Sequence, residues 1–323
     1  MKSFLIIVLV IAVALVLFLL LKAHKEKRSA SSIILENIFK LIPLTDRRVD
    51  ANFQKALEAN KKPYVLPDKV RSKYNIKEYD GYSDTFIMEP ETKSSDEVIF
   101  YLHGGGYWSQ PLSLHFVFFN KLINRLGISL VLPVYPKAPA YTATDAHKMV
   151  MDRYLHLIND KKIPADKIIL MGESAGAGLG LALLERLRDE KIPMPKQAIF
   201  ISPWFDVTTE NALKKEIQPH DPLLDNDILS FSGITYGGDL GPKNPLVSPL
   251  FGDLDNLPPM TVFTGTHDIL YADAKKIEDI AKEKNLNITV HTYLNMNHGF
   301  VGFPVIPEAK QSFEVVIKTI ENS

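Results

Sequence analysis

From residue 98 onward, short apolar runs alternate with longer segments in which apolar residues recur at helical spacing. Each run has five or six residues, which is the length of a strand. The runs are Val98–Leu102, Ile128–Leu132, Lys167–Met171, Ala198–Ser202, Met260–Thr264 and Ile288–Tyr293. Strands that alternate with helices predict an α/β fold, in which a mostly parallel sheet is covered by helices on both faces.

The longer segments predict the helices of this fold. They are Leu112–Leu126, Asp145–Ile158, Ala175–Arg188, Tyr271–Lys284 and Pro307–Glu321. The proline-rich stretch from Asp206 to Leu257 breaks the alternation. We interpret 206–257 and 30–80 as parts of a helical cap over the site. The alternative for 206–257 is a structural loop that does not contact the substrate.

Residues 4–21 form an unbroken run of 18 apolar residues, within the roughly 17–25 that cross a bilayer. A cleaved signal peptide is the alternative, but its apolar region is shorter, about 7–15 residues. The basic stretch Lys22–Arg28 follows the run and resists translocation. We therefore predict a single-pass membrane helix, with an anchor and basic flank over 1–28 and a catalytic domain over 29–323. The basic flank places that domain in the cytoplasm by the positive-inside rule.

The charges of the chain are nearly balanced, with 37 Lys and Arg against 38 Asp and Glu. A nucleic-acid-binding protein needs dense positive charge, so we expect no nucleic-acid partner. The chain has no cysteine, which excludes disulfides, thiolate metal sites and cysteine nucleophiles.

A G-x-S-x-G sequence, Gly172–Gly176, lies directly between a predicted strand and a predicted helix. A sharp turn at this point exposes the serine hydroxyl, and side chains in place of the glycines would collide. Ser174 is therefore the candidate nucleophile. A serine hydroxyl needs a base that takes its proton and an acid that orients the base.

The base and the acid are expected just after strands, because ligand sites of open α/β sheets form at the carboxyl ends of the strands. Among nine histidines, His298 follows the last predicted strand by a short loop. Asp268 follows the preceding strand, whereas its competitor Asp273 falls one turn into a helix. We predict His298 as the base and Asp268 as the acid.

The sequence His103–Gly106, HGGG, follows the strand Val98–Leu102. Glycines there allow backbone N–H groups to point at one oxygen atom. We predict an oxyanion hole formed by the N–H groups of Gly104, Gly105 and Ala175. A plain turn is the alternative for the glycine triplet taken alone.

Tyr107 and Trp108 follow the glycines, where they either line the substrate pocket or pack beneath the cap. No segment has the spacing of a zinc-binding H-E-x-x-H, a phosphate-binding loop or a dinucleotide fingerprint. His267 lies beside Asp268, with no third metal ligand at an evident spacing. We expect neither a metal nor a cofactor.

Together these residues resemble the hormone-sensitive-lipase-like family of α/β-hydrolase esterases, in its acetyl esterase or steryl acetyl hydrolase-like branch. The matching segments follow the family's order: HGGGYW at 103–108, GESAG at 172–176, SPW at 202–204, SPLFGDLDNLPP at 248–259, GTHDIL at 265–270 and NHGF at 297–300. The resemblance implies an eight-stranded sheet, a helical cap, no cofactor and hydrolysis of carboxylic esters. Two departures stand out. Glu173 replaces a frequent aspartate and keeps the charge, and Val134–Pro139 lacks the aspartate, arginine and glutamate that shape the pocket in the family.

The resemblance predicts a serine hydrolase of short-chain acyl or acetyl esters, with a small-molecule or lipid ester as its substrate. An amidase or deacetylase with the same triad is one alternative. A non-catalytic binding protein is another, since the plant gibberellin receptors keep this fold without the catalytic histidine. His298 is present here, which favours an enzyme. The sequence leaves the oligomeric state open.

Overall fold

The structure, a computed structural model, describes residues 16–41 and 49–323. An eight-stranded sheet crosses this part of the chain in the order β1-β2-β4-β3-β5-β6-β7-β8. The strands are β1 (Ile76–Tyr79), β2 (Tyr82–Met88), β3 (Val98–Leu102), β4 (Ser129–Pro133), β5 (Ile168–Glu173), β6 (Gln197–Ile201), β7 (Met260–His267) and β8 (Ile288–Asn297). Neighbours from β4 to β8 pair in parallel, whereas β2 is antiparallel to both β1 and β4. The predicted mostly parallel sheet is confirmed.

Helices cover both faces of the sheet. The α-helices are α1 (Ala30–Leu41), α2 (Val49–Asn60), α3 (Asp68–Lys73), α4 (Ser113–Leu126), α5 (Ala143–Asn159), α6 (Ala175–Asp189), α7 (Ala212–Ile217), α8 (Asn226–Gly237), α9 (Tyr271–Lys284) and α10 (Pro307–Glu321). Along β3, Phe100 and Leu102 belong to one apolar core, while Ile99 and Tyr101 belong to a second. Because successive strand side chains point to opposite faces, the two cores lie on opposite sides of the sheet.

The six predicted strands are present as β3 to β8, and α9 and α10 have their predicted bounds. The strands β1 and β2 were missed. β1 lies at the sheet edge and pairs on one side only, and its two middle residues are exposed. It therefore lacks the continuous apolar run of a central parallel strand. β1 also falls inside 30–80, the range predicted for the cap, but it belongs to the sheet.

The predicted membrane anchor falls largely on residues 4–15, which lie outside the described residues. Within 16–41 and 49–323, we find no helix that combines the length and the apolar character needed to cross a bilayer. Residues 16–26 are helical and lead into α1.

The insertion 206–257 carries α7 and α8, and a buried ion pair ties it to α9. Lys214 in α7 lies 2.9 Å from Asp273 in α9, and both side chains are 1% exposed. The second oxygen of Asp273 accepts the N–H groups of Phe205 and Asp206, which follow β6. The carboxylate of Asp273 therefore holds together α7, α9 and the segment after β6.

Replacing Lys214 with methionine should lower the free energy of unfolding by about 3–5 kcal/mol, because Asp273 would stay buried without its cation. Lys215→Met is the matched control, since Lys215 is the exposed neighbour in the same helix, and it should change the value by less than about 0.5 kcal/mol. Urea denaturation followed by circular dichroism measures both values. Equal losses in the two variants would contradict the role given to the pair.

Candidate active site

Ser174 lies on a strained turn between β5 and α6. Its backbone has φ 53° and ψ −123°, a conformation that residues other than glycine rarely adopt. A Cβ atom on Gly176 would stand 2.1 Å from the carbonyl oxygen of Leu102, and one on Gly172 would stand 2.7 Å from that of Gly176. Only glycine fits on either side of the serine, as the G-x-S-x-G spacing indicates.

His298 and Asp268 form a direct hydrogen bond, with 2.9 Å between Nδ1 of the imidazole and Oδ2 of the carboxylate. Asp268 is fully buried, and its Oδ1 accepts the N–H of Leu270 at 2.9 Å. Because the carboxylate is an acceptor, Nδ1 of His298 carries the proton and Nε2 is left to act as the base. Burial lowers the pKa of His298, but the charge and hydrogen bond of Asp268 outweigh burial and raise the pKa to about 9.

The turn of Ser174 contacts both the glycine-rich turn and the loop of His298. A Cβ atom built on Gly104 would lie 3.2 Å from Cβ of Ser174, and one built on Gly299 would lie 3.3 Å from Oε1 of Glu173. The residues predicted as nucleophile, base, acid and oxyanion-hole glycines therefore follow β5, β8, β7 and β3 at one edge of the sheet.

The glycine-rich turn is held by buried polar contacts of His103. Nδ1 of His103 donates to the carbonyl oxygen of Gly104 at 2.7 Å, and the Tyr135 hydroxyl donates to the carbonyl oxygen of His103 at 2.7 Å. The two rings stack with their centroids 4.5 Å apart. Burial holds the pKa of His103 well below its ordinary value, so the ring is neutral and rigidly placed.

Tyr107 and Trp108 lie in different surroundings. Tyr107 is buried, and its ring stacks on that of Tyr236 in α8 with the centroids 3.5 Å apart. Tyr107 therefore packs beneath α8. Trp108 is partly exposed, with its ring edge-on to Phe231 of α8 at 5.5 Å. Its carbonyl oxygen accepts a hydrogen bond from Asn60. Trp108 therefore stands between the glycine-rich turn and the insertion.

A cavity of about 360 Å³ opens beside His298. Its walls are formed by Phe39, Tyr101, Leu112, Leu114, His115, Phe118, Glu173, Ile201, Leu223, His298, Gly299, Gly302 and Phe303. Most of these residues are apolar, and Phe39 of α1 and Leu223 of the insertion both contribute. The cavity suits an apolar ligand that reaches the imidazole.

The partner of Glu173 is His115, which no sequence motif indicates. Nε2 of His115 lies 3.1 Å from Oε2 of Glu173, and Nδ1 of His115 accepts the N–H of Leu112 at 2.8 Å. Nε2 is therefore the protonated atom, which donates to the carboxylate. Burial raises the pKa of Glu173, but electrostatic attraction and the hydrogen bond from His115, with contributions from His298 and Tyr101, outweigh burial and hold the pKa below its ordinary value. An ionised carboxylate thus lies in the cavity wall.

Asp221, in the insertion, is a second carboxylate near the His298–Asp268 pair that no motif indicated. Its Oδ2 accepts the N–H of Ile269, directly after Asp268, at 2.8 Å. Its Oδ1 accepts the N–H groups of Leu223 and Leu224 at 2.8 and 2.9 Å. Burial and the charge of Asp268 raise the pKa of Asp221 to about 6. Asp221 connects the cavity wall at Leu223 with the turn that carries Asp268.

Comparison with known proteins relates this site to a family. The model of a protein family with the alpha/beta hydrolase fold matches residues 99–302 of this chain. The matched range contains Ser174, Asp268 and His298. Over 222 residues the chain is 35% identical to an esterase of Acinetobacter venetianus, a match that covers 68% of this chain and 73% of that protein. It is 31% identical over 224 residues to an acetyl-hydrolase of Streptomyces hygroscopicus, covering 69% of this chain and 75% of that protein.

Solved structures show the same likeness. The crystal structure of an esterase from the bacterial hormone-sensitive lipase family matches with a TM-score of 0.70 and 25% identity. The match covers 83% of this chain and 95% of that chain. The likeness therefore extends beyond the short motifs to most of the fold.

The carboxylates around His298 predict an order of pKa values that NMR can measure. Asp268 and, more weakly, Asp221 raise the pKa of His298. Asp221→Asn should lower this pKa, and Asp268→Asn should lower it further, because each change removes a charge that stabilises the imidazolium. Asp227→Asn, an exposed position in the same insertion, should leave it unchanged. Equal values in wild type and Asp221→Asn would contradict the coupling.

Proposed function

This chain belongs to the hormone-sensitive-lipase-like family of α/β-hydrolases and is a carboxylesterase-type hydrolase, and we propose that it works through Ser174, His298 and Asp268. The hydrogen bond between His298 and Asp268 is the observation that carries this proposal. It leaves Nε2 of the imidazole as a base, on the loop packed against the turn of Ser174.

In the proposed reaction, Nε2 of His298 takes the hydroxyl proton of Ser174 as Oγ attacks the ester carbonyl carbon. The carbonyl oxygen becomes an oxyanion, to which the N–H groups of Gly104, Gly105 and Ala175 donate. The imidazolium then gives its proton to the leaving alcohol, and an acyl-enzyme forms at Ser174. A water molecule, deprotonated by His298, then attacks the acyl carbon. The bond from this carbon to Oγ breaks, the imidazolium returns its proton to Oγ of Ser174, and the acid is released.

The cavity beside His298 indicates how the substrate lies. His298 protonates the leaving oxygen, so the alcohol portion must approach the imidazole. The adjacent walls, at Phe118, Leu223 and Phe303, are apolar. We assign this cavity to an apolar alcohol portion, paired with a short acyl group such as acetyl. Glu173, ionised in the wall, disfavours an anionic substituent there.

Variants of the three proposed residues test the mechanism. Ser174→Ala and His298→Ala should each lower kcat/KM for p-nitrophenyl acetate by at least about 10⁴-fold. The reason is that formation and hydrolysis of the acyl-enzyme both need the nucleophile and the base. His267→Gln is the matched control, as it changes the neighbour of Asp268 but no proposed catalytic group, and it should lower kcat/KM by less than about tenfold. Turnover by Ser174→Ala at the wild-type rate would refute the mechanism. If the wild-type protein has a higher kcat/KM for the amide p-nitroacetanilide than for p-nitrophenyl acetate, it is an amidase instead.

The pH dependence follows from the raised pKa of His298. The imidazole acts as a base only when it is neutral, so kcat/KM should rise with pH and reach half of its maximum near the pKa of about 9. Measurement by pH-stat titration with a water-soluble acetate ester tests this expectation. A plateau already reached well below neutral pH would show that the charge of Asp268 does not dominate.

Filling the cavity tests the substrate assignment. Leu223→Trp should lower kcat/KM for the acetate of a bulky apolar alcohol by about tenfold or more relative to ethyl acetate, because the added ring occupies the cavity. The dependence of kcat/KM on acyl chain length should be the same in the wild type and in Leu223→Trp. A selective loss of long acyl chains, with the alcohol held constant, would place the acyl group in the cavity instead.

A further inference from the structure

Exposed apolar side chains surround the mouth of the cavity beside His298. Leu112 and Leu114 line the cavity and are 59% and 38% exposed. Two residues beyond the lining residue Phe303, Val305 is 68% exposed. Isolated exposed apolar residues are ordinary, but a group of them at the entrance of an apolar cavity indicates a binding surface.

The helix α1 continues this surface toward the N-terminal segment. Ile34, Ile38 and Leu41 follow one another at spacings of four and three residues, so they lie on one face of the helix. All three are exposed, at 44%, 42% and 83%, whereas Ile33 and Glu36 point into the protein. The outward face of α1 therefore carries apolar side chains where a helix of a water-soluble domain carries polar ones.

The corner before α1 is fixed to the body of the protein. The buried guanidinium of Arg28 bonds Glu36 and the carbonyl oxygen of Asn295, the latter at 2.8 Å. The hydroxyl of Ser29 donates to Glu308 of α10 at 2.8 Å. The preceding helical segment, 16–26, is thus held at a defined place relative to α1 and the cavity.

The residues before this corner indicate what the apolar face of α1 contacts. Val16, Leu17, Phe18, Leu20 and Leu21, each more than half exposed, end the apolar run of residues 4–21. The exposed charges that follow are basic, at Lys25, Lys27 and Lys40. The two carboxylates of this region are held in ion pairs, Glu26 with Lys22 and Arg28 and Glu36 with Arg28 and Lys40, so the balance of charge stays positive. Apolar side chains flanked by lysines suit an anionic bilayer surface.

We propose that a membrane-facing surface, defined by Ile34, Ile38, Leu41, Leu112, Leu114 and Val305, rests on the lipid bilayer and opens the cavity beside His298 toward it. An ester with an apolar alcohol portion then enters from the lipid phase. The delivery of substrate rests on the proposed function, whereas the contact with lipid does not.

The absence of cysteine from the chain permits a direct test on the full-length protein. Ile38→Cys and Val305→Cys are labelled with an environment-sensitive fluorophore and mixed with phosphatidylcholine–phosphatidylglycerol vesicles. Both labels should shift to the blue on adding vesicles and be quenched by nitroxide lipids. Phe251→Cys is the control, because Phe251 is similarly exposed and its neighbour Gly252 contacts Glu185, far along α6 from Ser174.

Three outcomes would overturn the surface assignment. They are the absence of a blue shift at both test positions, an equal shift at Phe251, and a blue shift already present without vesicles. The last outcome would show that a second copy or residues 4–15 cover the face.

Kinetics test whether the surface delivers substrate. The triple variant Ile34→Ser, Ile38→Ser and Leu41→Ser changes no residue of the cavity wall. It should lose about tenfold in kcat/KM for an ester embedded in vesicles, because less apolar surface contacts the lipid. Turnover of water-soluble p-nitrophenyl acetate should stay within about twofold. Equal losses on both substrates would overturn delivery from lipid, while wild-type turnover that survives Ser174→Ala would overturn the proposed function instead.

Discussion

Parallel pairing of the central strands is the constraint on which the site depends. In a parallel sheet the carboxyl ends of neighbouring strands meet at one edge, so turns far apart in sequence become neighbours. The turns after β3, β5, β7 and β8 bring Gly104, Ser174, Asp268 and His298 to that edge. The strained backbone conformation of Ser174 persists because Gly172 and Gly176 pack closely against neighbouring backbone, which leaves the turn no room to relax.

Three carboxylates determine the electrostatics around His298. Asp268 is hydrogen-bonded to the imidazole, while Asp221 and Glu173 add negative charge nearby. Each carboxylate favours the imidazolium form of His298. In the proposed mechanism this stabilises the charged intermediate of acyl transfer but raises the pH at which the imidazole is free to act as a base. His115 and the backbone N–H groups around Asp221 keep these charges in place.

The insertion connects the site with the surface of the protein. The Lys214–Asp273 pair holds α7 against the segment after β6, and Asp221 joins the cavity wall at Leu223 to the turn of Asp268. On the opposite wall, Phe39 of α1 leads from the cavity to the apolar face proposed to contact lipid. The same elements that enclose the cavity thus determine its entrance.

The sequence by itself determined β3 to β8 and the positions of Ser174, Asp268 and His298, because strand length, helical spacing and tight-turn glycines are local patterns. It missed the edge strand β1, whose exposed residues lack the apolar run of a buried strand. Only the tertiary structure decided the contacts of Asp221, the His115–Glu173 pair and the packing of Tyr107 beneath α8. These contacts join residues from distant elements, and no local pattern records which side chains a folded chain brings together.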